Sequence, residues 1–175
     1  MPLTPVTAED IQTVSNQLER PARDIVAIAA RCVCGNPVVV QTAPRLTDGT
    51  PFPTTYYLTC PAATAALSRL EASGLMAELQ ARLESEPALA EGYRAAHESY
   101  LADRTELEQT AGAVAEIAGI SAGGMPTRVK CLHALAAHAL AAGSGVNPIG
   151  DIALELCTWK IDRCQCQPRP EVKNQ

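Results

Sequence analysis

Three short runs of strand-forming residues, all between residues 24 and 59, constrain the fold of this chain most. The first two, residues 25–33 and 38–40, are joined by a Gly35-Asn36-Pro37 turn, and the third spans residues 54–59. The long apolar patterns outside these runs have helical spacing. The sequence therefore predicts an α+β fold, in which a small three-stranded antiparallel meander packs against helices.

Helical signals account for most of the remaining chain. Pro21 is expected to end a first helix, and leucines at helical spacing dominate the region after Cys60-Pro61. The predicted helices begin at Thr7, Pro61, Leu75, Pro87, Arg128 and Asn147. We thus expect five or six mostly C-terminal helices in one domain over residues 1–164, followed by a mobile tail over residues 165–175.

Composition excludes several classes of function. The 175 residues include 14 Lys and Arg against 19 Asp and Glu, so the net charge of −5 argues against nucleic-acid binding. The chain contains neither a targeting signal near its start nor an apolar run long enough to span a bilayer, which predicts a cytoplasmic protein without a membrane segment. In a reducing cytoplasm, seven cysteines favour metal binding, catalysis or burial over disulfides.

Three of these cysteines are expected to converge. In an antiparallel meander the first and third strands end on the same side, which places Cys32, Cys34 and Cys60 at one end of the sheet. Two cysteines on a turn can reach one ion, and a Cys-Pro step also ends a ligand run of bacterial ferredoxins. We therefore predict a metal site there, holding either zinc or an iron–sulfur cluster; the sequence leaves both open.

Cys131 is the fourth candidate ligand. Inside a regular helix, residue 133 lies about 200° around the axis from residue 131, so His133 can join Cys131 only at a distorted helix start. His138 shares the face of Cys131 but lies about 10 Å further along the axis. Arg128 and Lys130 are expected to lower the pKa of Cys131, which suits metal binding or nucleophilic attack. Burial in the core is the alternative for Cys131.

Several stretches of the chain together resemble the bacterial family known as domain of unknown function 501. They are residues 31–37, 44–61, 93–98, 123–133 and 147–151. The resemblance implies that Cys32, Cys60, Cys131 and His133 are shared positions and that Cys34 is a substitute ligand. It also makes His97 a candidate for the same pocket, gives no support to Cys157, Cys164 and Cys166, and implies no activity.

These observations lead to three hypotheses. The first is a metalloprotein with Cys32, Cys34, Cys60 and Cys131 as ligands, His133 and His97 as catalytic residues, and Arg128 and Lys130 binding an anionic small molecule. The second is a non-enzymatic scaffold, with a structural metal or none, whose acidic helices bind a partner. The third is a thiol nucleophile or redox protein that uses Cys131 without a metal. Cys157, Cys164 and Cys166 form a second cluster, in which Cys164-Gln165-Cys166 is a candidate for metal scavenging or redox chemistry, and it ranks below the first.

Overall fold

The computed structural model describes residues 3–166, and it is an α+β fold. The strands are β1 (Thr4–Pro5), β2 (Ile25–Arg31), β3 (Pro37–Thr42) and β4 (Tyr56–Leu58). The helices are α1 (Ala8–Leu18), α2 (Pro61–Ala72), α3 (Leu75–Ser85), α4 (Pro87–Ala111), α5 (Leu132–Ala142) and α6 (Pro148–Leu156). Within residues 3–166, no helix combines the length and the apolar character needed to cross a bilayer.

The sheet has four strands, where the sequence predicted three. Its order is β1-β2-β3-β4, and all neighbouring strands are antiparallel. The additional strand is β1, in which Thr4 pairs with Ile28 and Pro5 with Ala27. Two residues are too few to produce an alternating pattern, so only pairing with β2 defines this strand. The predicted meander corresponds to β2, β3 and β4.

The start of α1 is the one that the sequence predicts. Thr7 Oγ1 accepts a hydrogen bond from the Asp10 amide at 3.1 Å, and Asp10 Oδ2 accepts one from the Thr7 amide at 3.0 Å. Asp10 also pairs with Arg31 of β2 at 2.6 Å, and hydrogen bonding to that guanidinium lowers the pKa of Asp10 to about 2. The helix ends at Leu18, before Pro21 is reached.

The two faces of the sheet are covered by different helices. On one face, Val14 of α1 packs with Ile28 and Val40. On the other face, α5 packs across β2, β3 and β4, while α2 and α6 pack against α5. Trp159, the largest fully buried side chain of the described residues, follows α6 and belongs to this larger core.

Helix α5 begins at Leu132, not at Arg128 as predicted. The Arg128 amide donates to the Gly124 carbonyl at 2.9 Å, and the Lys130 amide donates to the Gly123 carbonyl at 2.8 Å. Both glycines have positive φ, 67° for Gly123 and 95° for Gly124. These turns replace the first expected helical turn, so Cys131 lies before the helix.

The expected tail falls mostly beyond the described residues. Residues 167–175 lie outside them, so the prediction for that part of the tail stays a prediction. Cys166 is described, and its side chain packs against the larger core.

A buried histidine, His138 of α5, is stacked at 5.9 Å on Tyr56 and meets the edge of Tyr100 at 5.1 Å. Asn147 Oδ1 accepts from the Gly150 amide, which turns Asn147 Nδ2 toward His138 Nδ1 at 3.2 Å. His138 Nδ1 therefore accepts and Nε2 carries the proton. Burial lowers the pKa of His138 to about 4. The imidazole is thus neutral in the folded protein at neutral pH.

We expect stability to fall as the pH falls from about 6.5 toward 4. In this window the unfolded chain binds a proton at His138 and the folded chain does not, which costs about 3 kcal/mol once complete. Urea denaturation at several pH values measures the loss. In His138→Gln the slope between pH 6.5 and 4 should become shallower, whereas the control His97→Gln should keep it. An unchanged slope in His138→Gln would contradict the assignment. The stability that the Asp10–Arg31 ion pair contributes is lost at lower pH, as the pH falls from 3.8 to about 2, because the ion pair lowers the pKa of Asp10 from 3.8 to about 2.

Candidate metal centres

Four cysteine thiols from two distant parts of the chain meet beside the turn between β2 and β3. Cys32 follows β2, Cys34 lies in the turn, and Cys164 and Cys166 belong to the segment after α6. The four Sγ atoms lie within 4.8 Å of one another, and those of Cys34 and Cys166 are 3.6 Å apart. All seven cysteines of the chain lie in the described residues as free thiols. We call this group of four the tetrathiolate cluster.

The turn after β2 holds two of these thiols in place. The Cys32 amide donates to the Asn36 carbonyl at 2.9 Å, and the Gly35 amide donates to the Cys32 carbonyl at 2.8 Å. Gly35 adopts φ 88°, a conformation that favours glycine. The amides of Cys34 and Asn36 donate to the Sγ atoms of Cys32 and Cys34, respectively. Amide donors of this kind stabilise thiolates.

The segment after α6 is held against the body of the protein by Trp159, which is 1 % exposed. Cys157 Sγ donates to the Trp159 carbonyl at 3.1 Å. Lys160 Nζ donates to the carbonyls of Leu154 and Glu155 at 2.7 and 2.8 Å, at the end of α6. These contacts direct the chain toward the β2–β3 turn.

The thiols of the tetrathiolate cluster influence one another's ionisation. Burial raises the pKa of Cys32 and of Cys166. Burial acts in the same direction on Cys34, but hydrogen bonds from the Asn36 amide and from neighbouring thiols outweigh it and lower the pKa of Cys34 to about 7. Thiolates this close repel one another, and the positive charge of a divalent cation offsets that repulsion and so favours deprotonation of its thiol ligands.

The structure brings together only two of the four predicted cysteine ligands. Strands β2 and β4 run in the same direction, so Cys32 and Cys60 follow them at the same end of the sheet, as predicted. Cys60 is nevertheless not one of the four thiols: it is fully buried before α2, where it contributes to the raised pKa of Cys166. Cys131 is not among them either. Their places are taken by Cys164 and Cys166.

Cys131 belongs to a second cluster, together with Glu71 and His133. Glu71 lies in the last turn of α2, Cys131 precedes α5, and His133 is the second residue of α5. His133 Nδ1 is 3.8 Å from Cys131 Sγ and 3.1 Å from Glu71 Oε1, and the three atoms lie within 4.8 Å of one another. Because Cys131 has extended backbone, with φ −154°, it can reach His133, which residues inside a regular helix cannot do at this spacing. We call this group the Glu-Cys-His cluster.

Neighbouring groups orient the side chains of this cluster. His133 Nε2 lies 3.1 Å from the Thr64 carbonyl oxygen and 3.1 Å from Ser68 Oγ. Glu71 Oε1 accepts a hydrogen bond from the Leu132 amide at 2.7 Å. The His133 and Glu71 side chains are 23 % and 24 % exposed, so one side of the cluster faces solvent.

Ionisation in the Glu-Cys-His cluster depends on His133 and not on the basic residues nearby in sequence. Hydrogen bonding with His133 lowers the pKa of Cys131, although burial opposes it. Hydrogen bonding with Cys131 raises the pKa of His133 to about 9, and the charge of Glu71 adds to the effect. Arg128 and Lys130, which were expected to lower the pKa of Cys131, are exposed and form no side-chain hydrogen bond or ion pair within residues 3–166.

The remaining predicted site residue, His97, lies on α4 outside both clusters. Its Nδ1 is 2.8 Å from Ser121 Oγ. A cavity of about 800 Å³ lies on the α1 face of the sheet, with Val14 and Tyr57 in its lining, and no residue of either cluster lines it. The geometry thus gathers the candidate chemistry into the two clusters.

Comparison with known proteins places the chain in a family. A family model described as "Protein of unknown function (DUF501)" matches residues 28–155. The chain belongs to this family. The match confirms the resemblance that the sequence motifs indicate. No curated protein and no solved structure gives a significant match.

The residues that match the DUF501 model include all of one cluster and only half of the other. The Glu-Cys-His cluster lies entirely within the matched residues. The tetrathiolate cluster takes Cys32 and Cys34 from the matched residues and its other two thiols from beyond residue 155. In this DUF501 protein, the tetrathiolate cluster therefore combines two thiols of the matched residues with two thiols of the segment that follows them.

Sequence reasoning missed Glu71 as a ligand and ranked Cys164 and Cys166 below Cys32, Cys34 and Cys60. Glu71 is one of many acidic helical residues, and no motif distinguishes it. A usable signal existed for Cys164 and Cys166, since they repeat the Cys-x-Cys spacing of Cys32 and Cys34. Two such pairs together supply the four ligands of a closed tetrahedral site.

Proposed function

We propose that this DUF501 protein is a zinc-binding protein and that the tetrathiolate cluster holds one structural zinc ion. The convergence of four Sγ atoms within 4.8 Å carries the proposal. A tetrahedral zinc ion with Zn–S bonds of about 2.3 Å separates its sulfur ligands by about 3.8 Å. The 3.6 Å between the Sγ atoms of Cys34 and Cys166 agrees with that separation.

The same separation favours zinc over a four-iron cluster. In such a cluster each thiolate binds a different iron, so the sulfur ligands stand farther apart than those of a single ion. Four thiolates around one ion also leave no coordination position for a substrate, which supports a structural role. We place the protein in the cytoplasm, where reducing conditions keep its cysteines available as thiolates.

The structural role follows from the parts of the chain that the ion joins. Cys32 and Cys34 belong to the β2–β3 turn, while Cys164 and Cys166 follow α6. Zinc would fasten the C-terminal segment to the sheet. Trp159, the single tryptophan, lies buried in that segment, so its fluorescence reports whether the segment stays in place.

Removal of two ligands tests the proposal. The double variant Cys164→Ser/Cys166→Ser, made in the full chain and purified under reducing conditions, should contain one equivalent of zinc fewer than the parent protein. Its Trp159 emission should shift to the red because the segment is released. Elemental analysis and fluorescence measure the two effects, and the zinc-loaded protein should be colourless.

The matched control is Cys157→Ser, which changes another thiol of the same segment outside the tetrathiolate cluster. Serine keeps the donor that Cys157 presents to the Trp159 carbonyl, so zinc content should stay at the parent value. An unchanged zinc content in the double variant would overturn the proposal. Iron with acid-labile sulfide in the parent protein, or a stable disulfide between Cys34 and Cys166 in place of zinc, would do the same.

A further inference from the structure

The Glu-Cys-His cluster presents three different ligand atoms to one point. A thiol sulfur, an imidazole nitrogen and a carboxylate oxygen come from Cys131, His133 and Glu71. Zinc binds sulfur at about 2.3 Å and nitrogen or oxygen at about 2.0–2.2 Å, so ligand atoms of a tetrahedral ion lie roughly 3.3–3.8 Å apart. The 3.1 Å and 3.8 Å separations around His133 Nδ1 are close to these values.

The hydrogen bonds of His133 prepare Nδ1 to act as a ligand. The Thr64 carbonyl can only accept, so the Nε2 atom that lies 3.1 Å from it carries a proton. A cation bound here would displace the proton on Nδ1, and the Nδ1 lone pair would then face the same point as Cys131 Sγ and Glu71 Oε1. Histidines that bind metals usually donate their other ring N–H to a carbonyl or carboxylate in this way.

The charges of the cluster also favour a cation. Glu71 and Cys131 both direct an anionic or ionisable atom at the single Nδ1 atom of His133. One Nδ1 proton cannot satisfy a carboxylate and a thiolate equally, whereas one divalent ion bonds all three atoms. The Leu132 amide, 2.7 Å from Glu71 Oε1, further holds the carboxylate in this position.

We propose that Glu71, Cys131 and His133 bind a second zinc-type divalent ion, with a fourth coordination position open to water or a small anion. Three protein ligands and a solvent-facing side are typical of catalytic zinc sites, in contrast to the four-thiolate cluster. His133 thus acts as a metal ligand instead of a proton shuttle. The site lies wholly within the DUF501 match and does not depend on zinc at the tetrathiolate cluster.

Metal stoichiometry distinguishes the two sites. The parent protein should bind two equivalents of zinc, and Glu71→Gln should bind one, with the affinity of the Glu-Cys-His cluster lowered more than about 100-fold because a direct ligand is lost. Glutamine keeps an acceptor for the Leu132 amide, so the fold is expected to persist, and circular dichroism checks it. The control is Glu78→Gln, which alters an exposed carboxylate of the neighbouring helix α3 and should leave two equivalents bound.

Cobalt(II) substituted for zinc tests whether the ion at the Glu-Cys-His cluster has an open fourth coordination position. In Cys164→Ser/Cys166→Ser, one cobalt ion should remain, with the charge-transfer absorption of a single thiolate, and added azide should shift its visible bands. Rapid alkylation of Cys131 should slow when metal is present in this variant, but not when Glu71→Gln is added.

These measurements test the Glu-Cys-His cluster independently of the tetrathiolate cluster. Loss of one equivalent in Glu71→Gln alone supports the second site even if the tetrathiolate cluster binds no zinc. A zinc content in Glu71→Gln equal to that of the parent, or alkylation of Cys131 that metal does not affect, would overturn it and leave Cys131 and His133 as a metal-free thiolate–imidazolium pair.

Discussion

Gly150→Ala is expected to lower the free energy of unfolding by about 3 kcal/mol or more, the upper end for overpacking in a core. Gly150 lies in α6 where this helix meets α5, and an added Cβ would lie 2.2 Å from the Leu135 carbonyl oxygen and 2.8 Å from Ala139 Cβ. Both obstacles belong to α5, so relief requires the two helices to move apart. Denaturation by urea measures the loss.

Gly92→Ala is the matched control, because Gly92 is also helical but has more space. Its added Cβ would lie 3.2 Å from Pro148 Cγ, the edge of a single ring. Alanine improves helix propensity by up to about 1 kcal/mol, which offsets a small adjustment of that ring. We expect Gly92→Ala to stay within about 1 kcal/mol of the parent. Equal losses in the two variants would contradict a specific contact between α5 and α6.

Arg104→Met is expected to destabilise the protein by about 3 kcal/mol, because it removes several buried hydrogen bonds from a charged donor. Arg104 is 3 % exposed, and its guanidinium donates to the carbonyls of Ile117 at 2.9 Å and Pro53 at 3.1 Å. It also donates to Thr55 Oγ1 at 3.3 Å and lies 5.4 Å from the centre of the Tyr100 ring. Methionine fills a similar space but supplies no donor.

The control for Arg104 is Arg45→Met, which removes an arginine from the surface of the same region. Arg45 pairs with Glu116 at 2.8 Å, and their side chains are 39 % and 54 % exposed. Exposed ion pairs contribute at most about 1 kcal/mol, so Arg45→Met should have a small effect. Thermal or urea denaturation compares the variants. A loss in Arg104→Met no larger than in Arg45→Met would show that the buried bonds contribute little.

Local chemistry allowed much of the fold to be predicted. The Thr7 and Asp10 side chains form the expected capping box, and Asn147 Oδ1 accepts from the Gly150 amide at the expected start of α6. These signals involve residues within one helical turn, so they are visible in the sequence. Two predictions of secondary structure were wrong. Strand β1 was not predicted, because only its pairing with β2 defines it. Helix α5 was predicted to start too early, because turns at Gly123 and Gly124 replace its first turn.

The residues of the candidate metal sites also fall into two groups, those that the sequence could place and those that it could not. The sequence by itself determined that Cys32 and Cys34 share a turn and that Cys60 follows a strand at the same end of the sheet, because a meander of short connections fixes strand direction. Only the tertiary structure decided which other thiols join them. Cys164 and Cys166 reach the turn because burial of Trp159 holds the last described segment against the core. Packing of α2 beside α5 likewise brings Glu71 to Cys131 and His133. Contacts between segments so far apart in the chain depend on how whole helices pack against one another. The spacing of residues in the sequence does not indicate how those helices pack.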